Sequence, residues 1–171
     1  MRSERGFTLI ELLVVVAIIG ILAAIGVTQV MRARTAANET GAIGSMRAIV
    51  SSQVGYSNAC GNGYYAIDLT TLGQPVPGGN APFLSPDLTQ APIVAKSGYN
   101  FELSVGATTN VGPADCNGTP TESGYYGAAE PVDFRITGER SFAITSGGTI
   151  WVMQGAAAPT EPFGAPAFAL R

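Results

Sequence analysis

From Phe7 to Val27 the chain is almost wholly apolar, and one carboxylate, Glu11, interrupts it. Counted on to Met31, the run reaches the ~20 residues needed to span a hydrocarbon core of ~30 Å. No proline occurs before Pro75, so nothing breaks a helix that begins here. Gly20, Gly26, Gly41, Gly44 and Gly55 weaken such a helix by about 1 kcal/mol each relative to alanine. They also permit close approach of a second helix. Beyond Gln29 the pattern becomes one-sided. Ile43, Met46, Val50 and Val54 recur at helical spacing with Ile49 beside them, while Arg32, Arg34, Glu39 and Arg47 interrupt. This is an amphipathic continuation suited to seat on a globular domain. The glycine- and asparagine-rich "NACGNG" stops it. The pattern predicts one helix from Phe7 to about Asn58.

The rest alternates. Residues 61 to 96 read as turns with short helical pieces, and in "SPDLTQ" Ser85 is an N-cap with Pro86 at the first helical position. In "GYNFELSVG", Tyr99, Phe101, Leu103 and Val105 alternate with polar residues, as in a strand with one buried face. Three further strands are predicted in "VDFRITG", "SFAITS" and "TIWVMQ", joined by the hairpin-length connections "GER" and "SGG". The result is an antiparallel meander covered by the amphipathic half of the long helix, an α+β fold. The tail "GAAAPTEPFGAPAFALR" reads as extended or loosely ordered, with Phe163 and Phe168 able to dock on the domain or on a neighbouring subunit.

Composition narrows the function. Charged residues make up 12% of the chain, the net charge is −3, and Lys96 is the only lysine. Nothing in this suggests a phosphate-binding surface, so no nucleic-acid partner is expected. Histidine is absent, which excludes Ser-His-Asp and Cys-His chemistry and removes the commonest metal ligand. The sequence contains no G-x-S-x-G, no P-loop and no G-x-G-x-x-G. Asp68, Asp87, Glu102, Asp115, Glu122, Glu130, Asp133, Glu139 and Glu161 form no ligand-spaced cluster, and Asp115 and Glu122 read as solvated surface acids. No catalytic residue, metal or cofactor is expected. Cys60 and Cys116 each lie in a turn; if the domain is exported they form a disulfide, and otherwise they are two unrelated thiols. Asn38 and Asn117 match the glycosylation acceptor pattern, with Asn117 the better placed. The pairs Tyr64–Tyr65 and Tyr125–Tyr126 read as packing residues.

Glu11 distinguishes the possible amino-terminal segments. A removable secretory signal matches the basic Arg2 and Arg5, but its apolar core is shorter and carries no acid. A plain signal anchor explains the length and not the acid, whose insertion at a bilayer centre costs about 2.5–3.5 kcal/mol. The stretch "RGFTLIELLVVVAIIGILAAI" resembles the leader and first helix of the type IV pilin superfamily, which includes the pseudopilins of type II secretion. The resemblance implies cleavage between Gly6 and Phe7 by a prepilin peptidase, N-methylation of Phe7, and Glu11 as the acid that sets register in a filament. Cleavage creates an ammonium at Phe7. Glu11, one helical turn on, is able to compensate its own terminus or that of a neighbouring subunit. A buried unpaired charge is heavily penalised, so a shifted subunit would be disfavoured.

The implied organisation is a leader at 1–6, a membrane-spanning and filament-core half of the helix at 7–30, and an amphipathic half at 31–58. A loop and sheet region follows at 59–155 and the Pro/Ala-rich tail at 156–171. The implied fold is type IV pilin-like, one long N-terminal helix on a small antiparallel sheet. The chain departs from many relatives in reading "GVTQVMRAR" where they carry a proline, and in placing Cys60 at the helix end. The acids that bind calcium in major pseudopilins are missing near the C-terminus, where only Glu161 follows Glu139. The implied function is a structural subunit, held first in the inner membrane by a single pass with its C-terminal domain in the periplasm. It then enters an extracellular or periplasmic filament. Its implied partners are other copies of itself, the prepilin peptidase, the inner-membrane assembly machinery and, before assembly, the lipid bilayer. A type II secretion pseudopilin is the alternative within the class. A membrane-anchored periplasmic binding domain that never polymerises is the alternative outside it.

Overall fold

The structure, a computed structural model, describes residues 6–170, and of residue 28 the backbone alone. Arg2 and Arg5 of the expected leader lie outside the described residues, as does the side chain of Thr28. Helix α1 runs unbroken over Leu9–Ala59, 51 residues. The chain divides after Arg34 into two compact units.

In the first unit, apolar side chains from Leu9 to Met31 stand exposed, and none of the most hydrophobic stretch is buried. Its length and composition are sufficient to cross a membrane.

The second unit begins at Thr35. There α1 buries Glu39, Ala42, Met46, Ile49, Gln53 and Tyr56, and Cys60 continues the row just past its end. These positions advance by alternating steps of three and four, which keeps them on one side of a helix. The buried face therefore differs from the expected one. Val54 is 52% exposed, and Ile43 and Val50 lie at the margin of the core. Two polar residues hold core positions because each is satisfied. The Gln53 side chain pairs with the Ala66 backbone, donating from Nε2 to Ala66 O at 2.8 Å and accepting the Ala66 N–H at 2.9 Å. Glu39 is paired with Arg140, as described below.

Strand β1 (Tyr65–Ala66), the short helix α2 (Leu69–Leu72) and a 3-10 turn (Pro86–Leu88) follow α1. Ser85 caps that turn with Pro86 first, as the sequence indicates, although its hydroxyl bonds Asp87 rather than the turn's backbone. The main sheet has six antiparallel strands in the order β2 (Ile93–Lys96), β3 (Tyr99–Val105), β5 (Tyr125–Pro131), β6 (Arg140–Thr145), β7 (Ile150–Gln154), β8 (Phe168–Ala169). Strand β4 (Thr121–Glu122) pairs with β1 in a separate ribbon. Across the main sheet, Val94, Phe101, Ala129, Phe142 and Val152 fall in one register row, and all five are buried. They share a single core cluster with Met46, Ile49 and Tyr56 of α1, so the helix covers the sheet.

Three strand expectations are revised. "VDFRITG" is not a strand; Pro131 ends β5, and residues 132–138 form a loop that exposes Val132, Phe134 and Ile136. The strand beside β3 is "YYGAAEP", whose glycine and alanines make a poor strand signal. They are small because their neighbours are large: a Cβ on Gly127 would lie 2.8 Å from Ile144 Cγ1. Strand β2 falls within the stretch read as turns.

The tail is also more ordered than its composition suggests. Phe163 stacks on Trp151 with ring centres 4.9 Å apart, and Phe168 pairs with Val152 in β8. Glu130 Oε1 accepts the Ala158 N–H at 2.8 Å, Glu161 Oε2 accepts the Ala107 N–H at 2.7 Å, and the Tyr126 hydroxyl donates to Pro159 O at 2.8 Å.

Candidate functional site

The first turn of α1 carries the residues singled out by the sequence. Thr8 is the last residue before the helix, in the N-cap position. Its Oγ1 accepts the Glu11 N–H at 3.3 Å. Glu11 answers with Oε2, which accepts the Thr8 N–H at 2.9 Å and the Thr8 hydroxyl at 2.7 Å. This reciprocal pair is a capping box, which satisfies two helix donors that otherwise have no partner. Glu11 also complements the positive end of the helix dipole. Gly6 precedes Phe7 here, so the Phe7 nitrogen is a peptide nitrogen and offers no ammonium. The acid's partner in this state is Thr8. The signal was present in the sequence as "TLIE", a threonine followed three residues later by glutamate. Phe7 is 84% exposed and Gly6 is exposed with open space around its Cα, so the Gly6–Phe7 junction is accessible.

At the far end of the helix, Cys60 and Cys116 form a disulfide with their Cα atoms 4.8 Å apart. Asp115, beside it, is buried and not a solvated surface acid. Its Oδ1 accepts the Asn117 and Thr119 N–H groups at 2.8 and 2.7 Å, and its Oδ2 accepts the Tyr56 hydroxyl at 2.8 Å. Burial, and then the hydrogen bond to Asp115, pushes the Tyr56 phenol above its ordinary range. Asn117 Nδ2 donates to Pro75 O at 3.2 Å and Asn38 Nδ2 to Thr137 O at 3.0 Å, so both glycosylation-pattern amides are engaged. Of the tyrosine pairs, Tyr65 and Tyr125 meet edge-on at 5.2 Å. Burial, and then nearby carboxylates led by Glu130, raises the Tyr126 phenol to about 12.

Glu39, which in the sequence pattern only interrupts the helix's apolar positions, organises the domain. Glu39 Oε1 accepts the backbone N–H groups of Glu139 and Arg140 at 3.0 and 3.2 Å. Its Oε2 accepts Arg140 Nε at 2.8 Å and pairs with Nη2 at 2.6 Å. The available signal was positional, since Glu39 begins the buried row. Among the described residues no three His, Cys, Asp or Glu side chains gather in a way that suits a metal ion.

An exposed apolar helix with a capped acid in its first turn, continued by a helix-covered antiparallel sheet, is an α+β arrangement of the pilin-like kind. Residues 1–27 match the model of the prokaryotic N-terminal methylation motif. The chain is 58% identical over 40 residues to the type IV wide pilus major component PilA4 of Thermus thermophilus, covering 23% of this chain and 30% of that protein. It is 51% identical over 51 residues to the type II secretion system core protein G of Pseudomonas aeruginosa, covering 30% of this chain and 36% of that protein. The chain thus spans about a third of the length of the curated relatives it matches. No solved structure matches it significantly. The amino-terminal segment is thus similar to those of a type IV pilus component and a type II secretion core protein.

Proposed function

We propose that the protein is a structural subunit of a type IV pilus-like filament, processed by a prepilin peptidase after Gly6, N-methylated on Phe7 and assembled through α1. The observation that carries this reading is the uncovered apolar surface of residues 9–31. Contiguous apolar area on that scale needs lipid or other helices around it. A bilayer supplies the first and a filament core the second. Glu11, satisfied by Thr8 in the uncut chain, gains a cationic partner once Phe7 becomes an amino terminus. In a packed shaft that pairing acts as a register device, because misplacing it strands two charges in apolar surroundings.

The likeness to a type II secretion core protein favours one second reading, a pseudopilin acting in the periplasm. Mass measurement of the mature amino terminus tests the class. N-methyl-Phe7 is expected, whereas an uncut Met1 would leave a tethered domain that never polymerises. Glu11→Ala is expected to insert into the membrane normally and to fail in fibre incorporation. Recovery of the protein in sheared surface fibres favours the pilus; lost secretion without such fibres favours the pseudopilus.

A further inference from the structure

The connection between β5 and β6 presents apolar side chains outward, with Val132 47% exposed, Phe134 38% and Ile136 64%. It is nevertheless firmly built. Asp133 O accepts the Ile136 and Thr137 N–H groups at 3.0 and 2.9 Å, and the Arg135 N–H donates to Gly138 O at 2.8 Å. The Thr137 hydroxyl bridges back to the backbone of Asp133. Two side chains of α1 hold the loop: Thr35 Oγ1 donates to Ile136 O at 3.1 Å and Asn38 Nδ2 to Thr137 O at 3.0 Å. Arg135 has a positive φ of 70°, the left-handed region a bulky residue rarely enters, and its guanidinium lies 5.4 Å from the Phe134 ring centre.

The covalent chain fixes what lies nearby. Thr35 is four residues beyond Met31, where the apolar run ends. Four residues reach at most ~14 Å in any conformation and about 6 Å as helix. Headgroups add roughly 5–7 Å to each side of the hydrocarbon core. A loop hydrogen-bonded to Thr35 is therefore within reach of the headgroup layer whenever residues 7–31 span a bilayer. Arg32 and Arg34 lie in the intervening chain. The loop region itself carries Arg135 against the acids Asp133 and Glu139, while Arg140 is committed to Glu39.

We propose that residues 132–138 form a lipid contact in the unassembled subunit. Phe134 and Ile136 enter the headgroup and upper acyl region of an anionic phospholipid surface, and Arg135 meets the phosphates. Apolar side chains flanked by arginine are the composition that suits this interface. A second copy of the chain is the competing occupant; the short tether to the apolar run and the intervening arginines favour lipid. The inference rests on the membrane-spanning reading of residues 7–31.

The test uses the full chain in phosphatidylcholine vesicles with and without phosphatidylglycerol. Trp151, the only tryptophan, is replaced by Trp151→Phe, and Phe134→Trp or Ile21→Trp supplies the reporter. The F134W reporter is expected to show blue-shifted emission, quenching by bromines placed high on the acyl chains, and protection from aqueous acrylamide. Phosphatidylglycerol should strengthen the effect, and Arg135→Gln should remove that increment. If I21W is quenched and F134W stays water-exposed, the lipid contact is wrong while the span stands. If neither is quenched by lipid, the span reading fails and takes this inference with it. If F134W shifts only after fibres assemble, a second copy occupies the loop and the lipid proposal is overturned.

Discussion

Val14 and Met46 sit on the same unbroken helix, yet the first is 49% exposed and the second fully buried. Near Val14 the helix is apolar on every side but for Glu11; near Met46 its apolar residues form a single row facing the sheet. A helix that is apolar all round needs an enclosing apolar environment, whereas a one-sided helix needs only a lid. The second half of α1 is covered by the sheet, while the apolar side chains of the first half stand exposed. Helix propensity does not separate the two halves, since both are continuous helix. What separates them is where the polar residues fall.

Alkaline pH should break this comparison most completely, because all six tyrosines lie beyond residue 34. Burial raises the phenols of Tyr56, Tyr99, Tyr125 and Tyr126 in the folded chain. The unfolded chain releases those protons near pH 10, so stability is intact below that value and declines as pH climbs through it toward the folded values. Near-UV circular dichroism is expected to vanish above pH 10, while the helical signal of residues 7–34 in lipid persists. Next in size is the clasp at the helix end. Replacing both cysteines, Cys60→Ser with Cys116→Ser, should lower the unfolding free energy of the domain by about 4 kcal/mol at most, given its 56-residue separation. Denaturant titration reads this directly, and an unchanged midpoint would remove the clasp from the account. Met46→Ala should cost about 3 kcal/mol in the same titration. Ile19→Ala, an equal truncation in the exposed half, should stay within about 0.5 kcal/mol. Equal losses for the two would erase the distinction between the halves. A local effect is expected from Thr8→Ala, which removes the N-cap hydroxyl and should cost about 1 kcal/mol of first-turn helix stability. Amide exchange at Ile10 and Glu11 in detergent would detect it.

Much of this architecture can be read from residue order, for reasons that also explain the omissions. The long helix is legible because no proline precedes Pro75, and β3, β6 and β7 because their apolar residues alternate. Strand β5 is hidden because Gly127 and Ala129 are small to make room for Ile144 and Phe142, and that demand comes from other strands. The helix face is misjudged for a similar reason. Glu39 and Gln53 look like surface residues until Arg140 and the Ala66 backbone are brought to them. Asp115 is obscured in the same way, since its three donors come together only when the loop folds against Tyr56. In the amino-terminal turn, Glu11 stands out by composition alone. Its bond to Thr8 is not among the expectations above, although both partners lie within one turn and "TLIE" carries the signal.

The placement of that cap has a consequence for the proposed cleavage. Both of its members lie downstream of the Gly6–Phe7 bond, so severing the bond takes away none of the atoms that hold the first turn together. The newborn amine would thus emerge against an end that is already ordered, with the glutamate fixed one turn away and no refolding required before the two can meet.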